Sequence, residues 1–336
     1  MIWDELLDEY RALGGIAENV RLDSGPFGRG IFPIEPGKPM TLRTPPALHV
    51  PVSDIRVRDG RMTAGATRID ARALAFFEAY EAYFGWGAGG LEATWELQDA
   101  WHTLPDEVAG YIRAMGTLDD PDRRFAAPSV EVCMHDFLSE RKFGEGSHVS
   151  IVPLIDLVNH SSYVPTYTLE GGLGVRGTFD GEVFVRYNRS DPWGLMTQYG
   201  FAATSPVAYS VSITVGLPRS NKLVIARDID SVSTVGALQF PTLETTGDTI
   251  TLSHLPLGFE TAKDLPRAMF RKMLDSRVTA VEADYIFDGI QHYNRTLFLK
   301  LLLILRKYDA PLVRTLEEAA IDQLESLSAC VGARPL

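Results

Sequence analysis

Apolar and polar positions alternate in changing rhythms along this chain, and each change marks an element. The first thirteen residues carry apolar positions at helical spacing, predicting a short amphipathic helix that ends at Gly14-Gly15. From there to about residue 62 the apolar residues fall in short runs broken by Gly, Pro and Asp, the pattern of several short strands joined by tight turns. Residues 70–118 revert to helical spacing in ARALAFFEAYEAYF and LPDEVAGYIRAM, a helical insert, and the polar stretch Thr117 to Ala127 reads as a loop. A further helix is expected through EVCMHDFLSERKF. Strands then resume in VSIVPLIDLV, TYTLEGGLGVRGTF, GEVFVRY and VAYSVSITVGL, with Asp180-Gly181 as a hairpin signal. After about Pro256 the pattern turns helical in three segments. The fold class is α+β: a β-rich body with a helical insert, followed by a helical C-terminal region.

Composition narrows the function classes. The 336 residues are 45% hydrophobic and 23% charged with both signs present, as in a soluble globular protein long enough for one large domain or two ordinary ones. A net charge of −12 argues against a broad nucleic-acid surface, which needs clustered Lys and Arg, and leans toward a basic partner. The two cysteines, Cys133 and Cys330, form no CxxC pair, so no structural zinc cluster is expected. The acidic N-terminus is unlike a signal peptide, and the most apolar run, Leu297 to Leu305, is short and contains Lys300. The expectation is a cytoplasmic protein without a membrane partner.

Three segments carry candidate chemistry. In GPFGRGIF, Gly28 and Gly30 allow a backbone to fold tightly against a ligand, although a turn between strands needs glycines for its own sake. Ile31-Phe32-Pro33 follows where a dinucleotide fingerprint would place a third glycine and a helix. In RKFGEGSHVSIVPLIDLVNHSS, Asp156, Asn159 and His160 close an apolar run, with Arg141 and Phe143 upstream. Asn and His offer donors and acceptors, and an Arg pairs with a ligand carboxylate. The alternative is a strand ending in a polar turn. No Gly-x-Ser-x-Gly elbow supplies a nucleophile, and one His with one Asp makes a poor metal site. In VFVRYNRSDPWGLMTQYGF, Tyr187 and Tyr199 stand twelve residues apart, either as core tyrosines or as the walls of a narrow channel.

Taken together and in order, GRGIF, RKF…VPLIDLVNHSS and YNRSDPWGLMTQYGF resemble the SET domain. The branch they are most similar to is typified by plant Rubisco large-subunit lysine methyltransferase. The resemblance implies a SET domain over residues 14–215 with the helical insert at about 70–127, and a helical substrate-binding-like domain over 256–331. It implies an S-adenosylmethionine-dependent protein N-methyltransferase whose partner is a protein with an exposed lysine. Histidine methylation, small-molecule methylation and a non-catalytic binding module are its alternatives. Carried over by position, Phe27, Gly28 and Arg29 would lie along S-adenosylmethionine. Arg141 would take its carboxylate side, and Asn159 with His160 its methionine and adenine ends. Phe143 would form an aromatic wall and Asp156 would sit near the substrate entrance. Tyr187 would be catalytic, and Tyr199 would line the lysine channel. No metal is implied, and the oligomeric state is left open. The chain departs from the pattern at Asn188, where Gly or Asp is usual, at Ser190-Asp191, where Ser-Asn is usual, and at Phe27, which replaces an acidic residue.

Overall fold

The structure is a computed structural model that describes residues 1–65, 69–144, 149–218, 221–229 and 240–328. Cys330 and residues 329–331 of the expected C-terminal domain lie outside the described residues. The class is α+β, with many short strands and helices of up to 26 residues. The chain divides into two compact units, one of residues 1–99 and 127–187, the other of residues 100–126 and 188–336. These boundaries cut the chain elsewhere than the sequence domains do, because the insert is shared between the units and the second begins directly after Tyr187.

In the first unit the helix Trp3–Ala12 buries Leu6, Leu7 and Tyr10 on one face, the i, i+3, i+4 stripe of an amphipathic helix. The Tyr10 hydroxyl, 2.8 Å from Thr44 Oγ1, ties that helix to a strand. That strand, Pro39–Thr44, lies between Ile16–Glu18 and Leu173–Thr178, antiparallel to both. Val20–Gly25 and Gly28–Pro33 form a hairpin in which Gly25 faces Gly28 across the turn. Gly28 holds φ +90, a conformation that costs glycine little and other residues more. The helix Ala71–Tyr83 starts at Asp70, whose carboxylate accepts the N–H groups of Arg72 and Ala73, and buries Phe76, Phe77, Tyr80 and Glu81. The helix Val130–Arg141 is capped by Ser129 and packs Cys133, Phe137 and Leu138 against Phe77 and Trp86.

Two local expectations are corrected here. Asp180-Gly181 makes a bend but no hairpin. Leu173–Thr178 pairs with Pro39–Thr44, whereas Phe184–Val185 runs parallel to Asn159–His160. Turn chemistry is local, while the pairing is decided by partners far away in sequence. The strand expected to run up to Tyr187 is likewise confined to Phe184–Val185.

In the second unit Ile213–Gly216, Lys222–Ile225, Thr249–Leu252 and Leu243–Thr246 form a four-stranded sheet in that order. Pro256–Phe259, where helix was expected, is a fully buried strand paired with Val207–Tyr209. A short continuous apolar run reads alike as buried strand or helix. The helical part starts at Leu265 and comprises Leu265–Leu274, Ala280–Leu305 and Pro311–Ser328. Thr279 and Glu282 form a capping box at the head of the second of these. The stretch read as a loop contains one helical turn, Pro121–Arg124, started by the Asp120 carboxylate accepting Arg123 N–H at 3.0 Å. Among the described residues no helix is long and apolar enough to cross a membrane.

Candidate functional site

The site residues of the first unit gather because two short strands run side by side. Asn159 pairs with Phe184 and His160 with Val185, so Tyr187 emerges beside the imidazole. The backbone N–H of Tyr187 donates to His160 Nδ1 at 3.1 Å, and the rings meet edge to face at 5.0 Å. An Nδ1 that accepts carries no proton, so Nε2 carries it and donates to Ser162 Oγ at 3.0 Å. Both ring nitrogens therefore have partners inside the protein. Burial, with help from the nearby Arg186 charge, lowers the His160 pKa to about 4. The imidazole of His160, the residue expected at the cofactor's adenine end, is thus uncharged at neutral pH and hydrogen-bonded at both nitrogens within the protein.

Tyr187 donates its hydroxyl proton to Val158 O at 2.8 Å. Burial raises its pKa; the Arg141 charge opposes that rise, and Asp156, Glu140 and Glu182 add to it. The phenol is protonated at neutral pH, and its oxygen is left as an acceptor.

Asn159 donates through Nδ2 to Arg29 O at 3.2 Å and to Glu182 Oε1 at 2.6 Å. The first of these bonds ties the Gly25–Gly30 hairpin to the Asn-His run. Phe27, at the tip of the hairpin, is 61% exposed and meets Phe184 edge to face at 5.7 Å. A Cβ added at Gly25 or Gly30 would overlap the Glu182 carboxylate, whereas one added at Gly28 would meet open space.

Arg141 and Asp156 form the other side. The guanidinium lies over the Phe137 ring at 4.1 Å and 4.0 Å from Asp156 Oδ2. Its Nη1 is also 3.7 Å from Glu140 Oε2. These are ion-pair contacts without a hydrogen bond among the described residues, so its planar fork of donors can still turn to a ligand. Asp156, expected near a substrate entrance, has a side chain only 1% exposed and accepts the Tyr80 hydroxyl at 2.5 Å. Leu154, two residues before it, holds φ +69, a left-handed bend that costs a non-glycine residue about 1–2 kcal/mol. Glu81 lies beside this pair and accepts Trp86 N–H at 3.0 Å. Burial pushes both carboxyls above their ordinary range, the Asp156 charge adding to the effect on Glu81 and Arg141 opposing it in both. Phe143 stands edge-on to Tyr167 at 5.1 Å, in the same apolar cluster as Tyr187.

Tyr199 belongs to the second unit, at the end of the helix Pro192–Tyr199. Asn188 Nδ2 donates to its hydroxyl at 3.1 Å and to Gln198 Oε1 at 2.9 Å, and Phe201 stacks on its ring. Asp191, the other departure from the motif, caps that helix through Gly194 N–H at 2.8 Å. The same carboxylate accepts Tyr209 N–H, Gln323 Nε2 and both terminal nitrogens of Arg227, the shortest of these ion-pair contacts being 2.6 Å. An Asn could not match the Arg227 cation there, so the departure is a compensated exchange.

Sequence reasoning missed Tyr80, Glu81 and Glu182. The first two look like any polar positions on an amphipathic helix. Glu182 had one faint signal, an acidic residue directly after a turn and before an apolar strand. Among the described residues no group of His, Cys, Asp and Glu is placed to hold a metal ion.

No family model and no curated protein matches the chain. Among solved structures it is similar to a crystal structure of the SET domain of LSMT bound to lysine and AdoHcy. That match has 12% identity and a TM-score of 0.46, and covers 97% of this chain and 89% of that chain.

Proposed function

We propose that this chain is an S-adenosylmethionine-dependent protein N-methyltransferase of the SET kind that methylates a lysine side chain. One observation carries the reading. Three motifs far apart in sequence, the Gly28–Gly30 hairpin, Asn159-His160 and Tyr187, are joined by side-chain hydrogen bonds within one compact unit. Convergence of separately weak signals is what a binding site requires and what chance turns and strand ends do not produce.

The residues fit the cofactor's chemistry. The donors of Arg141 suit a carboxylate, and the open side of the turn at Phe27, Gly28 and Arg29, braced by Asn159, suits an adenosyl group. Phe143 adds an aromatic wall. The bound cofactor supplies a methyl group on a sulfonium, and transfer to an amine is an in-line displacement that rewards alignment and dryness. Tyr187, its own proton committed to Val158 O, accepts an N–H of the incoming neutral amine and turns the nitrogen lone pair toward the methyl group. An apolar surround and a nearby sulfonium both favour the deprotonated amine. His160 positions Tyr187. The role given to Tyr199 rests on the sequence motif.

The test is incubation with S-adenosylmethionine labelled in its methyl group and a lysate, followed by acid hydrolysis and amino-acid analysis. Label on methyl-lysine supports the reading. Label on methyl-histidine or on a small molecule replaces the acceptor, and cofactor binding without any product reduces the protein to a binding module.

A further inference from the structure

Like Glu81, which burial holds protonated, Glu182 is a carboxylate of the candidate site with one oxygen partnered and the other buried without a partner. Its Oε1 accepts Asn159 Nδ2 at 2.6 Å, while its Oε2 is buried and has no hydrogen-bond partner. No Lys, Arg or His among the described residues lies within ion-pair distance of it. Asp156 differs, because its charge is answered by Arg141 and its Oδ1 by Tyr80. Two hairpin positions are glycine where a Cβ would overlap this very carboxylate, so the local backbone is shaped to seat it. Burying an anionic oxygen without a partner costs free energy, and a cationic ligand group would recover it.

We propose that Glu182 receives the ammonium of the cofactor's amino-acid end, while Arg141 takes the carboxylate of the same zwitterion. The inference rests on the cofactor reading above and deepens it by naming an unassigned binding residue. Arg141 and Glu182 bear opposite charges and flank one short run of the chain, Arg141 4.0 Å from Asp156 and Glu182 2.6 Å from Asn159, as the two ends of a zwitterion require. Glu182 also offers what Phe27 removed. The acidic residue missing from the hairpin is supplied from the segment just before the strand Phe184–Val185, and Asn159 holds it in place.

The experiment is calorimetric titration with S-adenosylhomocysteine and with its analogue lacking the α-amino group, on wild type and on Glu182→Gln. Wild type should bind the deaminated analogue about 10- to 100-fold more weakly, the range for a charge-assisted hydrogen bond. Glu182→Gln should weaken S-adenosylhomocysteine by a similar factor and leave the analogue nearly unchanged. Equal affinity of wild type for the two ligands overturns the proposal, and so does a variant that weakens both equally. The wild-type comparison decides the matter even if Glu182→Gln fails to fold. Wild type that binds neither ligand overturns the cofactor reading itself, an outcome distinct from equal, measurable affinities.

Discussion

His160 Nδ1 accepts the backbone N–H of Tyr187 at 3.1 Å, and this bond fixes where the tyrosine ring stands. It exists only while the imidazole is neutral. The histidine's folded pKa, about 4, is below its unfolded value, so the unfolded chain takes up the proton first as pH falls. Stability from this residue is complete above about pH 6.5 and is lost as pH falls from there toward 4, by about 3 kcal/mol in all. Denaturant unfolding between pH 7 and 4 should show this slope in wild type and a shallower one in His160→Gln.

Tyr187→Phe removes the hydroxyl but leaves the ring and the backbone N–H in place. The fold loses one buried hydrogen bond, about 1 kcal/mol, and Val158 O is left unpaired. Methyl transfer should fall at least about 100-fold, or about 2.7 kcal/mol of barrier. S-adenosylhomocysteine affinity should change little. Rate and affinity falling together would assign the hydroxyl to cofactor binding.

Glu81 is held protonated by burial and by the Asp156 charge. A carboxyl whose folded pKa is raised keeps its proton in the fold at pH values where the unfolded chain has released it. Stability therefore declines as pH rises from the ordinary value of 4.5 toward the raised one. Glu81→Gln mimics the protonated form, so its melting temperature relative to wild type should improve on going from pH 5 to pH 8. A difference that does not change with pH would count against a protonated Glu81.

The Asp191–Arg227 pair is bidentate and buried, with side chains 0% and 5% exposed. Removing one partner leaves the other charge without compensation. Arg227→Ala should cost the second unit about 3–5 kcal/mol, measured by denaturant unfolding. Replacing both residues with apolar ones of similar size should cost less than the single change.

The order of elements was legible because helical and strand periods change cleanly along the chain, and the candidate chemistry because it sits in short contiguous motifs. Legibility stopped where long-range pairing decides. Asp180-Gly181 carries every local mark of a hairpin, yet the strands around it pair with Pro39–Thr44 and Asn159–His160. Glu182 becomes a site residue only through those pairings, and Tyr80 only because Asp156, 76 residues later, is folded against it. Asp191 departs from the motif, and its counter-charge, Arg227, lies 36 residues on.

The strand Pro39–Thr44 has one neighbour close by in the chain, Ile16–Glu18, and the other at Leu173–Thr178. During synthesis its second edge stays open until residue 178 has left the ribosome, some seconds later at roughly 5–20 residues per second. The hairpins at Val20–Pro33 and Ile55–Ala64 close early, but Asn159 and His160 arrive after them and Tyr187 last of all. Nascent chains arrested before Leu173 should therefore expose an adhesive strand edge and recruit chaperones, and those extended well beyond Tyr187 should release them.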